Sequence, residues 1–73
     1  MLDYIKYAVE KFGDTCYGTQ WCLIIHKENV DKVEEWLNKY TQTEEGEWLK
    51  YNIQQCQNID WLYVLILSSS YQR

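Results

Sequence analysis

Proline is absent from this sequence, arginine occurs once and glycine three times. The scarcity of proline and glycine excludes a low-complexity tract rich in these two residues. Seven basic residues face eleven acidic ones, for a formal net charge of −4. Nucleic-acid binding requires clustered Lys and Arg, because these neutralise the phosphates. We therefore expect no direct contact with nucleic acid.

Long apolar runs and paired cysteine motifs are also missing. The longest apolar run is seven residues, 61–67, whereas a membrane-spanning helix needs about 20. Residues 1–12 alternate charged and apolar side chains, which is unlike the apolar core of a signal peptide. The three cysteines form no C-x-x-C pair, so a disulfide framework is not expected. These features predict a cytoplasmic protein without a membrane partner.

What is present is apolar and aromatic. The 73 residues are 47% hydrophobic and 16% aromatic, far too rich for intrinsic disorder. A chain of this length forms one domain, 1–73, and buries only about 60% of its unfolded surface. Residues 69–73 are expected to fray.

Apolar periodicity predicts the element order α-β-α-β-β. Gly13 is expected to end the first helix, and Asn29 to cap the second. The final segment is apolar on both faces and should be the central strand. The predicted helices span 2–12 and 30–41, the predicted strands span 19–26, 47–56 and 59–68, and residues 56–58 close a hairpin between the last two strands.

These elements predict an α+β fold, a small three-stranded sheet with both helices on one face. The first strand, the second helix and the next paired strand should form a right-handed crossover. The other sheet face would carry Cys22, Ile24 and Trp48, and a chain this short has no element left to cover it. We expect a second copy or another partner there, with these three residues in the interface.

The residues with catalytic or metal-binding chemistry do not form a known pattern. Cys22 and His26 lie four residues apart on one strand, about 13 Å, whereas a working nucleophile–base pair needs about 3 Å. Cys16, Cys22, Cys56 and His26 lack the spacing of structural zinc ligands. There is also no phosphate-binding loop or dinucleotide motif. We expect no enzyme activity, no metal and no cofactor.

The negative charge is concentrated in one block. Residues 28–49 carry seven acidic residues against Lys32 and Lys39, a net charge of −5. Part of the block lies on the outer face of the second predicted helix and part in the following turn, with two tryptophans as candidate anchors. The alternative is an ordinary solvated surface. The candidate partner-binding residues are Asp31, Glu34, Glu35, Glu44, Glu45, Glu47, Trp36 and Trp48.

Three segments carry a family resemblance. They are Gly18-Thr19-Gln20-Trp21-Cys22, Trp36-Leu37-Asn38-Lys39-Tyr40, and Leu62-Tyr63-Val64-Leu65-Ile66. In this order they resemble a pattern in uncharacterised phage-encoded proteins, a Gly-Thr-x-Trp-Cys strand, a short helix with an aromatic end, and a Leu-Tyr-Val-Ile strand. The glycine-rich connection of that pattern is absent here. The resemblance implies a phage or mobile-element origin.

Three functional hypotheses follow. The leading one is a non-enzymatic interaction protein that binds a basic surface of a host nucleic-acid-binding protein. In size and acidity the chain resembles anti-CRISPR and other anti-defence inhibitors. The first alternative is a homo-oligomeric assembly subunit, and the second is a thiol enzyme or redox protein that uses Cys22.

Overall fold

The computed structural model describes residues 2–15 and 20–69. Their order is α-β-α-β-β, which confirms the predicted α+β fold. The elements are α1 (Leu2–Thr15), β1 (Trp21–His26), α2 (Lys27–Tyr40), β2 (Leu49–Gln55) and β3 (Leu62–Ser69).

Helix α1 continues past Gly13, so the prediction that this glycine ends the helix is wrong. A Cβ atom at Gly13 would lie 3.2 Å from Cζ2 of Trp48. The missing side chain of Gly13 therefore lets the indole ring of Trp48 pack close to α1, and the helix continues to Thr15. Sequence spacing alone cannot separate this use of glycine from a C-terminal cap.

Strand β3 is central, as predicted, and pairs antiparallel with both neighbours in the order β1-β3-β2. Helix α2 connects β1 to β2, which run parallel to each other in the same sheet, so the predicted crossover is present. Strand β3 occupies the position between these two strands. The reason is the apolar character of β3 on both faces, which places it where both of its edges are paired.

Strand β1 passes directly into α2, so the prediction of an Asn29 cap is also wrong. His26 is the N-cap, and its Nδ1 accepts the backbone N–H of Glu28 at 3.3 Å. The ring of His26 stacks on Trp61 at 5.3 Å between centroids. The N–H of Lys27 donates to the carbonyl of Trp61 at 2.8 Å. These contacts join the start of α2 to the loop between β2 and β3.

That loop is longer than the hairpin predicted at residues 56–58. The N–H of Cys56 donates to the carbonyl of Leu62 at 2.9 Å, and the N–H of Leu62 donates to Ile59 at 3.2 Å. The second bond closes a turn, so Ile59 and Trp61 belong to the loop and not to the strand.

Both helices pack on one face of the sheet, as predicted. That face carries Trp21, Leu23 and Ile25 from β1, with Leu65 and Leu67 from β3. The helices contribute an apolar stripe each, at the i, i+3/i+4 spacing that places side chains on one side. The buried core comprises Ile5, Val9, Phe12, Ile25, Val33, Leu37, Leu49, Leu65 and Leu67.

Trp48 lies on the helix side of the molecule, which corrects its predicted place on the opposite sheet face. It precedes β2 and stacks on Phe12 with 5.9 Å between ring centroids. Its Nε1 donates to the carbonyl of Glu45 at 2.6 Å. Residue alternation misplaced Trp48 because the strand begins only at Leu49.

The turn between α2 and β2 is packed around Gly46, which is buried. The hydroxyl of Thr43 donates to the carbonyl of Tyr40 at 2.7 Å and accepts the N–H of Gly46 at 3.2 Å. A Cβ atom at Gly46 would collide with the carbonyl group of Tyr40. The collision is with backbone, so no side-chain rotation relieves it.

We expect Gly46→Ala to destabilise the fold by about 2 kcal/mol, in the range of an overpacked site. Urea unfolding followed by circular dichroism measures this change. Glu47→Ala is the matched control, because Glu47 follows Gly46 in the turn and its side chain is exposed. The stability of this variant should stay within about 0.5 kcal/mol of the wild type. Equal stability of the two variants would show that the turn can move away from Tyr40.

Candidate functional site

An open groove of about 540 Å³ lies between α2 and β2. Its walls are acidic on the helix side and aromatic on the strand side. A second depression of about 400 Å³ adjoins this groove and shares two of its lining residues, Glu34 and Tyr51. We call the first of these the acidic groove, and it is lined by Asp31, Glu34, Glu35, Asn38 and Tyr51.

The groove follows from two simple periodicities. Residues 31, 34, 35 and 38 share one helix face because they are three, four and seven positions apart. Val33 and Leu37 of the same helix are buried against the sheet. Tyr51 alternates with the exposed Lys50 and Asn52, so it points to the helix side of β2.

The acidic residues of the groove differ in how far they are compensated. Glu35 pairs with Lys39 across one helical turn, with 3.2 Å between the carboxylate and Nζ. Within residues 2–15 and 20–69, neither Asp31 nor Glu34 forms an ion pair. Burial, and then the charge of Glu34, raises the pKa of the Tyr51 phenol above its ordinary value. The carboxylates of Asp31 and Glu34 therefore leave the helix wall of the groove negatively charged.

The acidic residues of the turn lie outside this groove. Glu44, Glu45 and Glu47 are exposed, and none of them lines it. Glu45 is adjacent to Tyr40, whose pKa is raised by burial first and then by the charges of Glu45 and Glu10. The acidic block of the sequence thus separates into a groove group and a turn group.

Trp36 is on the other side of α2, facing α1. Its ring stacks on Tyr40 at 5.2 Å, and Nζ of Lys6 lies 5.8 Å from its centroid. A shallow depression beside it is lined by Lys32, Glu35, Trp36 and Lys39. Trp36 shares this depression with Glu35 and a second one, toward α1, with Glu45. The backbone carbonyl of Glu45 also accepts from Nε1 of Trp48, so both tryptophans lie beside predicted acidic residues, although neither tryptophan lines the acidic groove.

The sheet face opposite the helices carries Cys22 and Ile24, as predicted. The side chain of Ile24 is 62% exposed. Trp61, which sequence reasoning did not select, is 47% exposed and stacks on His26 at the end of this face. Its position depends on the β2–β3 loop, and no local pattern indicates it.

Two of the three cysteines lie within the described residues. Cys22 and Cys56 are free thiols. Cys16, one of the four possible metal ligands, is outside the described residues. Among those that are described, no group of three or more His, Cys, Asp or Glu side chains could hold a metal ion. No helix in this same part of the chain is long and apolar enough to cross a membrane.

No protein-family model matches this chain, and no curated protein or solved structure matches it. The phage-protein pattern therefore stays a prediction from sequence. Its Trp21-Cys22 and Leu62–Ile66 segments lie on paired strands β1 and β3, and Gly18 and Thr19 are outside the described residues.

Glu34→Gln should lower the pKa of Tyr51, because it removes the nearby negative charge that disfavours the phenolate. The pKa should remain above its ordinary value of 10.0, since burial is the larger cause. The ring carbon shift of Tyr51 in a pH titration by NMR reports this pKa. Glu35→Gln is the control and should leave it unchanged. Equal effects of the two substitutions would contradict the proximity of Glu34 to the phenol.

Proposed function

We propose that this chain is a non-enzymatic protein-binding domain whose acidic groove receives basic side chains of a partner. The observation that carries the proposal is that the carboxylates of Asp31 and Glu34 both line an open groove. Neither carboxylate is compensated by a described cation. Carboxylates in this arrangement attract Lys and Arg, and a groove brings the attraction to a defined place.

The other walls of the groove suit the same ligand. Tyr51 offers a half-buried aromatic ring, and a guanidinium group gains from contact with such a face. Asn38 adds an amide that both donates and accepts hydrogen bonds. Because Arg presents a planar set of donors, a carboxylate can take two of them at once. An Arg-rich surface is therefore the preferred partner.

Proteins that bind nucleic acid display such basic surfaces. A rigid set of carboxylates competes with phosphates for the same Lys and Arg side chains. We extend the proposal to a phage or mobile-element inhibitor that occupies the nucleic-acid site of a host protein, resembling anti-CRISPR proteins. The supports for this extension are the short chain, its acidity and the sequence pattern described above. The activity requires no cofactor and no catalytic residue.

Reversing the groove charges should weaken binding to a basic partner. The immobilised chain is incubated with a nuclease-treated bacterial lysate, and a captured basic protein is purified for titration. Asp31→Lys combined with Glu34→Lys should weaken its affinity about 10- to 100-fold, equivalent to roughly 1.4 to 2.8 kcal/mol. The wild-type affinity should fall as salt rises.

The matched control reverses two acidic residues of the turn, Glu44→Lys and Glu47→Lys, and so makes the same change in net charge. It should weaken binding less than about threefold, because these residues lie outside the groove. The captured protein should also lose its nucleic acid when the wild-type chain is added. Equal losses from both variants would show that net charge, and not the groove, drives binding. Capture of no basic protein would contradict the proposal itself.

A further inference from the structure

The open sheet face is defined here as the strand side chains turned away from the helices. Antiparallel pairing arranges its middle in two rows across the strands. One row is Ile24–Val64–Gln54, and the next is Cys22–Ile66–Asn52. His26 and Leu62 lie beyond the first row, and Ser68 and Lys50 beyond the second.

This face is apolar on two strands and polar on the third. Ile24 is 62% exposed, and Val64 and Ile66 remain only half-buried although they belong to the central strand. The β2 column consists of Lys50, Asn52 and Gln54. An exposed apolar area bordered by polar side chains is typical of an interaction surface.

We infer that the open sheet face binds a second copy of this chain, through a twofold axis that runs across the strands between the two rows. This operation places each strand over the same strand of the other copy. Ile24 then faces the partner's Cys22, and Val64 faces the partner's Ile66. On the polar strand, Gln54 faces the partner's Asn52, and amides can both donate to and accept from one another. The face is thus complementary to itself, as a twofold interface requires.

Charge distribution favours a second copy over another partner. None of the three strands contains an acidic residue, and Lys50 is the one Lys or Arg among them. The twofold axis moves the two Lys50 side chains to opposite ends of the interface, where neither meets the other. A basic partner would gain nothing from this face and would be attracted to α2.

The area sets the expected strength. Three strands about 4.8 Å apart and four rows about 7 Å apart cover on the order of 400 Å² on each copy. A stable interface uses about 800 Å² per partner, so the dimer should be weak, with a dissociation constant in the micromolar range or above.

The dimer would have two outward acidic grooves, because both helices lie on the far side of each sheet. This consequence rests on the proposed function, whereas the dimer itself does not. Two equivalent sites allow a dimer to gain avidity on a partner with two basic surfaces.

Sedimentation of the wild-type chain from about 10 µM to about 1 mM should show reversible dimerisation. Ile24→Lys should raise the dissociation constant at least about tenfold, because the charge would be buried between two sheets. Tyr4→Lys makes the same charge change at a residue of α1 that is 55% exposed, and it should leave dimerisation unchanged. A monomer at every concentration, or equal effects of both variants, would overturn the inference.

The register is tested on the unaltered sequence. In a mixture of labelled and unlabelled chains, isotope-filtered NMR should detect contacts from the methyl groups of Val64 in one copy to those of Ile66 of the partner subunit. A dimer without these contacts would overturn the proposed face. Asp31→Lys with Glu34→Lys should still dimerise, and added salt should not weaken the dimer, unlike binding at the groove. Failure of the dimer is therefore distinguishable from failure of the acidic groove.

Discussion

The structure depends on burying the central strand with only two helices available. Leu65 and Leu67 of β3 are fully buried under α1 and α2, whereas Val64 and Ile66, which alternate with them, are not. Two helices of fourteen residues each can cover one side of a three-stranded sheet, and the described chain has no further element. One side of the sheet is therefore a core and the other a surface, although β3 is apolar on both faces from Leu62 to Leu67.

The same requirement separates the charges of α2. Because Val33 and Leu37 must point at the sheet, the acidic residues are rotated toward β2 and solvent, while Lys32 and Lys39 lie toward the α1 side beside Trp36. A helix with mixed charge thereby presents a negative flank and a flank rich in lysine. The acidic groove therefore follows from the packing of α2 on the core. No other element of the described chain closes over it, so it is open to solvent.

Periodicity was sufficient to predict the element order, the central strand and the outer acids of α2, since each needs only the repeat of one helix or strand. The errors occurred where a residue acts through a distant neighbour. Gly13 accommodates Trp48, 35 positions away along the sequence, and His26 caps α2 while stacking on Trp61. For the site, Tyr51 was missed and Trp48 misassigned because their surroundings depend on how α2 and the turn pack. Composition cannot show such contacts.

The two proposed surfaces are compatible because the sheet separates them. In a face-to-face dimer, layers about 10 Å apart place the two α2 helices roughly 30 Å from each other. The Debye length at physiological salt is only about 8 Å, so the two acidic flanks scarcely repel. A chain with a net charge of −4 can then self-associate at a face without acidic residues, and the groups that attract a basic partner are not neutralised. Dimerisation and binding at the groove should consequently be independent for a monovalent partner, and coupled only through avidity when the partner presents two sites.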